Sequence, residues 1–386
     1  MKNKYPRVID LIDKATKRIP FFISEYLFSG TGNDKVVGAN NNIFQDVFLV
    51  PKYLKGTVKV ETEQTILGFK YGAPFGVAPI GSGGSIWPGA EIALAKMCAK
   101  KKIPYCLSSV ASSSLEEISP HLEDNGWFQL YPPKDKGIRD DIIKRASDAG
   151  FSVLVVTVDI PATSRRERVK KAGVTIPPKL NLKTFFQALL RPLWSIGTLL
   201  QGMPSFGTMT KYNFLSQDEL TKNWNEMPRY IDWEYLSEIR SLWKGQIILK
   251  GILDEENAIK ASKVVDAIYL SNHGGRQIDL VPSPLQLLPN IRKKLGNDFP
   301  IIIDSGYLSG QDIAKALVLG ADFVMLGRAF MIGVSALGKK GAEHIHYILH
   351  DELSNIMEQM CCKNILELKQ ENVTVKDDFF LHVIEK

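Results

Sequence analysis

Between residues 74 and 327 the chain returns eight times to one pattern. A short apolar run closes on a polar or glycine-containing cluster, and an amphipathic stretch follows. The runs are "PFGVAP" (74–79), "IPYCLSS" (103–109), "WFQLY" (127–131), "SVLVVTVD" (152–159), "QIILKG" (246–251), "DAIYLSN" (266–272), "PIIID" (300–304) and "DFVMLG" (322–327). Their length and their content of Val, Ile, Leu and aromatic residues suit parallel strands buried on both faces. The intervening "GAEIALAKMCAKK" and "SGQDIAKALVLGA" space apolar residues three and four apart, as helices do. Eight strand–helix units in series predict a (β/α)8 TIM barrel. A doubly wound sheet is the alternative; the even count and the lack of a GxGxxG after the first run weigh against it.

The 386 residues are expected to form one barrel domain. Two segments lie outside the repeat. Residues 1–70 begin with helix-like sequence ending "FFISEYLFSG" and are expected to cap the barrel. Residues 165–230 form an insertion after strand four that is far longer than an ordinary crossover. It opens with Arg165, Arg166, Arg168, Lys170 and Lys171 and continues "FFQALLRPLWSIGTLLQGMPSFG". Its aromatic content argues against simple disorder. A lid over the site ranks first, a peripheral membrane contact through 170–210 second, and an oligomer contact third.

In such barrels chemistry collects at the C-terminal ends of the strands. Those ends carry Pro79, Ser108, Gln129 with Tyr131, Thr157 with Asp159, Lys250, Ser271 with His273, Asp304 with Gly306, and Gly327 with Arg328. Random strand ends would not be this consistently polar. A neutral histidine there takes a proton if a partner orients it and stabilises the imidazolium. Asp159 is the best partner for His273. Arg276 and Arg166 suit a substrate carboxylate, since a guanidinium offers paired donors to both oxygens. Tyr26 and Tyr131 add neutral hydroxyls. Arg328, with the amides around Gly306 and Gly327, reads as a phosphate site after the last two strands.

"SNHGGRQID", "DSGYLSGQDIAKALVLGADFVMLGRAF", "FQLY", "TVD" and "ILKGI" resemble the FMN-dependent 2-hydroxy-acid oxidases and dehydrogenases. The resemblance runs from about residue 5 to about residue 368. "APIGSGG", "WKGQIILKGILDEENA" and the insertion with "RPLW" and "GMPSFG" are most similar to bacterial respiratory-chain L-lactate dehydrogenases. The resemblance implies FMN as cofactor and His273 as the base that starts oxidation of the α-carbon, with Asp159 pairing to its imidazolium. Arg166 and Arg276 would bind the substrate carboxylate with help from Tyr26, and Tyr131 would contact the substrate hydroxyl. Lys250 would place a cation beside flavin N1 and O2. The backbone from Pro79 through Ile80 to Gly81, with Ser108, Gln129, Thr157 and Ser271, would hold the isoalloxazine. Asp304 would meet the ribityl chain, and Gly306, Gly327 and Arg328 the phosphate. The implied activity is oxidation of an L-2-hydroxy acid, L-lactate foremost, with electrons passing to a quinone or cytochrome. Alternatives are an oxidase of the same family releasing peroxide and a non-catalytic member with weakened FMN binding. A homo-oligomer, a tetramer by resemblance, is also implied.

Leu308 departs from the pattern, standing where the family usually has an arginine on the phosphate. Weaker FMN retention is expected. Val110 stands where glycolate-oxidising members carry tryptophan, and Gly81 replaces a common alanine, so the pocket has room for lactate or a bulkier acid. His344, His346 and His350 invite a metal reading, but only 346 and 350 would share a helix face, and a solvated helix is expected instead; no metal is assigned. Cys361 and Cys362 read as two thiols in a C-terminal helix, and the four cysteines lack the spacing of a zinc site or disulfide framework. The net charge of +6 is too diffuse to imply nucleic acid and favours anionic ligands or surfaces. No secretory signal and no spanning segment is read, so a cytoplasmic protein is expected, with a peripheral place on the inner membrane if the insertion touches lipid.

Overall fold

The computed structural model describes residues 1–174, 181–212 and 231–380. Eight parallel strands close into a barrel: β1 (Phe75–Val77), β2 (Tyr105–Ser108), β3 (Gly126–Leu130), β4 (Val153–Thr157), β5 (Gln246–Ile252), β6 (Ala267–Leu270), β7 (Ile301–Ile303) and β8 (Phe323–Leu326). Each falls on one of the eight apolar runs. Neighbours in sequence are neighbours in the barrel, and β8 pairs back onto β1. The expected (β/α)8 barrel is therefore the observed fold, and the doubly wound alternative fails because the sheet has no open edge. Two helices read from periodicity also form, over Ala90–Lys101 and Gly310–Val318.

Alternate residues of a strand share a face. Cys106, Trp127, Val153, Val155, Ile248, Ala267, Tyr269, Ile302, Phe323 and Met325 point inward and fill the barrel. The opposite faces pack beneath the surrounding helices in a larger core.

Residues 1–70 do not all sit at one end. A hairpin of Gln64–Ile66 with Phe69–Tyr71 closes the N-terminal mouth. There Tyr71 Oη accepts a hydrogen bond from Trp127 Nε1 at 2.9 Å and meets the Phe323 ring edge-on. The earlier part covers the other mouth through α1 (Phe21–Phe28) and α2 (Lys35–Asn42). Thr31 N donates to Gly275 O at 2.9 Å, and Asp279 accepts from the N–H groups of Asn33 and Val36. The two ends of the cap thus serve different purposes.

The described part of the insertion holds α3 (Leu182–Leu189) and α4 (Pro192–Gln201). Their inward residues are few, with Ala188 and Trp194 facing the protein. Trp194 packs edge-on against Phe22 with ring centres 5.9 Å apart, and Phe22 N donates to Gln187 Oε1 at 2.9 Å. The outward face is apolar: Leu182, Leu190, Leu199 and Leu200 are each at least 70% exposed. Residues 175–180 and 213–230 of the expected 165–230 lid lie outside the described residues.

Candidate active site

The inward parity that builds the barrel core continues upward at the C-terminal mouth. Two residues beyond Cys106, Trp127, Val155, Ile248, Tyr269, Ile302 and Met325 stand Ser108, Gln129, Thr157, Lys250, Ser271, Asp304 and Gly327. One layer of the barrel is thus polar because the strands keep their alternation past the apolar run. Ser108 Oγ donates to Gln129 Oε1 at 2.7 Å, and Gln129 Nε2 donates to Thr157 Oγ1 at 2.9 Å. Lys250 Nζ donates to Ser271 Oγ at 2.8 Å and lies 3.8 Å from Asp159 and 3.7 Å from Asp304. Tyr269 Oη donates to Asp304 Oδ2 at 2.9 Å.

His273 joins this layer from the loop after β6. Its Nδ1 lies 3.0 Å from Asp159 Oδ1 and 3.2 Å from Oδ2, and its Nε2 lies 3.3 Å from Tyr131 Oη. Burial would raise the Asp159 carboxyl, but the charges of His273 and Lys250 outweigh it and hold the group below its ordinary value. Burial also lowers the imidazole, Asp159 pulls it back, and Lys250 and Arg276 push it down again, leaving the pKa below the usual histidine value. A charged carboxylate therefore faces a neutral ring at neutral pH. Nδ1–H donates to Asp159, and the lone pair on Nε2 accepts from Tyr131 Oη at 3.3 Å, facing the cleft that both residues line.

Three guanidinium groups gather around the C-terminal end of α1. Arg166 Nη2 donates to Tyr26 O at 2.8 Å and Ser29 O at 3.2 Å. Arg276 Nη2 donates to Leu27 O at 3.0 Å, and Arg328 Nε to the same oxygen at 3.3 Å. Free carbonyls at a helix C-terminus attract cations, so α1 serves as a counter-pole for the cluster. Burial and the neighbouring Arg276 push Arg166 down to about 9; burial and both other arginines do the same for Arg328. The Nε atoms of Arg166 and Arg276 are buried with no hydrogen-bond partner. Unpartnered donors among crowded positive charges call for an anion.

Tyr26 Oη donates to Gly81 O at 2.9 Å, bringing the cap onto the loop after β1. A methyl group at Gly81 would stand 3.0 Å from Val110 Cγ2 and 3.7 Å from Tyr26 Oη. Its absence leaves open the space that Val110 and Tyr26 border. Glu91, which the sequence reading passed over, fixes these loops. Its buried carboxylate accepts from Ser112 N at 2.8 Å, Ser113 N at 2.6 Å and Gly84 N at 3.3 Å, and burial raises its pKa. An acid in the first turn of a helix otherwise patterned for burial was the available signal.

A cleft collects Pro79, Ile80, Tyr131, Thr157, Lys250, His273, Arg276, Asp304, Gly306, Leu308, Gly327 and Arg328 along its walls. Ser108, Gln129, Ser271, Tyr26, Gly81 and Arg166 are not among the residues that line it. At the Arg328 end the neighbours Leu308, Met331 and Ile332 are apolar. No described residue of 181–212 lines the cleft, so that stretch braces α1 from behind rather than roofing the site. Two smaller expectations fail. The helix Lys339–Gln359 is not solvated at its histidines: His344 bonds Tyr5 O at 2.9 Å, and His346 is buried against Phe75 and His350. Cys361 and Cys362 lie in the turn after that helix, not within it, because Cys361 takes a left-handed φ of +54°.

A family model described as FMN-dependent dehydrogenase matches residues 15–375, and the chain belongs to that family. Its cofactor is FMN. The chain is 34% identical over 369 residues to an L-lactate dehydrogenase of Vibrio parahaemolyticus, covering 93% of this chain and 96% of that protein. It is 32% identical over 354 residues to an (S)-mandelate dehydrogenase of Pseudomonas putida, covering 91% and 89%. Among solved structures, a monotopic membrane (S)-mandelate dehydrogenase superposes with a TM-score of 0.90 at 30% identity, covering 96% of this chain and all of that one. A mandelate oxidase superposes with a TM-score of 0.83 at 27% identity, covering 96% and 99%. The cleft fits the cofactor by its donor set. Buried Lys250 lines it, and so does Arg328, where the ten-residue helix Arg328–Leu337 begins.

Proposed function

We propose that this chain oxidises an L-2-hydroxy acid to the 2-oxo acid, with L-lactate as the leading substrate and a quinone or cytochrome as the final acceptor. The observation that supports this best is one juxtaposition. His273, hydrogen-bonded to Asp159, lines the same cleft as Arg276, whose buried Nε has no hydrogen-bond partner, as is also true of Arg166 Nε nearby. Arg166 and Arg276 take the substrate carboxylate, satisfying those donors. Tyr26 and Tyr131 orient the substrate through their hydroxyls. His273 Nε2 receives the proton the substrate gives up, and Asp159 stabilises the imidazolium so formed. FMN, when bound, supplies the two-electron acceptor. Lys250 sets a positive charge beside the ring, the layer from Ser108 to Ser271 supports its plane, and Gly306, Gly327 and Arg328 hold the phosphate.

The space at Gly81 favours a second reading of the substrate, a bulkier acid such as mandelate, over glycolate. A purified yellow protein mixed anaerobically with L-lactate, mandelate and glycolate separately tests both. Loss of the yellow absorbance is expected with L-lactate and slowest with glycolate; no loss with any of them in added FMN would refute the reading. Parallel turnover with oxygen and with an artificial acceptor separates dehydrogenase from oxidase.

Among the described residues no helix is long and apolar enough to cross a membrane. The outward leucines and phenylalanines of α3 and α4, beside exposed Lys170, Lys171 and Lys183, support docking of this face on a lipid surface. Docking there would bring the site to an acceptor dissolved in the bilayer.

A further inference from the structure

Ser305 has a φ of +83°, the largest positive value of any non-glycine among the described residues, and Gly306 follows at +100°. That lies beyond the left-handed well near +57° that side chains tolerate, so glycine would occupy the position at lower cost. Strain kept at a site asks what the side chain supplies. Here the hydroxyl is fully employed. Oγ donates to Asp304 Oδ1 at 2.9 Å, and it accepts from Gly274 N at 3.2 Å and Asn272 N at 3.4 Å. The N–H between those two belongs to His273 and is taken by Ser271 Oγ at 3.0 Å. Three successive backbone N–H groups centred on His273 therefore end on two serine hydroxyls. His273 itself stands at φ +56°, a left-handed conformation uncommon outside glycine. The anchor is rigid, because Asp304 is held on its other oxygen by Tyr269, a fully buried residue of β6.

We propose that Ser305 is a positioning residue for His273. Its hydroxyl grips the backbone on both sides of the histidine and fixes the left-handed turn that sets the imidazole between Asp159 and Tyr131. The proposal rests on the reading of His273 as the base. Ser271 acts on the same turn but also contacts Lys250, whereas Ser305 reaches the turn from a different strand and touches neither Arg166 nor Arg276.

The Ser305→Gly variant tests this, since it relieves the backbone and removes the hydroxymethyl group that bonds Asn272 N, Gly274 N and Asp304. The expected result is a holoenzyme with Tm equal to or above that of the parent. Its kcat for L-lactate should fall roughly 10- to 100-fold, as a small misplacement of a reacting group produces, with KM held within about twofold because the arginines are untouched. The His273 ring resonances, assigned by their loss in His273→Gln, should shift or broaden in Ser305→Gly. A kcat and ring resonances both matching the parent would overturn the proposal, whatever the Tm. If His273→Gln keeps full activity, the reading of His273 as base fails; the resonances of Ser305→Gly then still decide whether Ser305 places the ring.

Discussion

The guanidinium of Arg166 donates to the backbone carbonyl of Tyr26 at 2.8 Å and lies 5.0 Å from the centre of that residue's ring. The arginine comes from the loop after β4 and the tyrosine from the cap, so the proposed carboxylate site depends on where the two meet. Arg166→Lys keeps the charge but loses the planar fork. KM for the 2-hydroxy acid is expected to rise roughly 10- to 150-fold, as for one lost charge-assisted hydrogen bond of about 1.5–3 kcal/mol. Steady-state kinetics with an artificial acceptor measure it, and an unchanged KM would remove Arg166 from the carboxylate site.

The His273–Asp159 pair carries a pH signature. A base must be neutral, so activity is lost as pH falls through the pKa of His273. Burial sets that pKa below the ordinary value of about 6.5, and the acid limb of kcat/KM is expected below that point. Asp159→Asn removes the charge that pulls the pKa back up. Its acid limb should move to still lower pH while the plateau falls roughly 10²- to 10⁴-fold. A limb that moves upward in this variant would contradict the assigned pairing.

Leu308 lines the same cleft as Arg328, Met331 and Ile332. The chain as it is should release FMN on extended dialysis. Leu308→Arg should tighten FMN roughly 10- to 150-fold, again one charged hydrogen bond of about 1.5–3 kcal/mol. Quenching of flavin fluorescence on titrating apoprotein gives both dissociation constants, and equal values would show that the phosphate is held elsewhere.

The outward face of α3 and α4 predicts co-sedimentation with vesicles containing anionic lipid. Phe186→Asp with Leu200→Asp puts two charges where two largely exposed apolar side chains stand. The pair should abolish sedimentation and leave turnover with a soluble acceptor within about twofold, since surface changes away from a site rarely cost more than about 0.5 kcal/mol. Raised salt should weaken binding without eliminating it, because lysines supply only part of the attraction. Undiminished sedimentation of the double variant would assign binding to another surface.

The barrel was legible because parallel strands covered on both faces leave unbroken apolar runs, and because the run ends place Gln129, Thr157, Lys250 and Asp304 on the inward parity. His273 and Asp159 could be paired from their strand-end positions alone. What the chain did not announce depends on contacts between distant segments. Nothing local to Tyr71 says that its hairpin closes the far mouth of the barrel. The carbonyls that hold Arg166, Arg276 and Arg328 belong to peptide groups, which every residue possesses. Ser305 was visible only as the middle of "DSG", since a left-handed φ leaves no periodicity. Nor did the aromatic content of the insertion say that Trp194 would pack against Phe22 while many of its described leucines face outward.

The partners that pin α1 have a temporal consequence. Arg276 and Arg328 reach Leu27 across 249 and 301 residues of sequence. During synthesis α1 therefore leaves the ribosome long before its last fastenings; Gly81, Arg166 and Trp194 reach it sooner, but its Leu27 carbonyl waits until most of the barrel has been made. A nascent chain stopped before β8 would present that helix to chaperones or to lipid. The completed protein, by contrast, ties Leu27 to Arg276 and Arg328 on the wall of the cleft, so a break near either end is felt there.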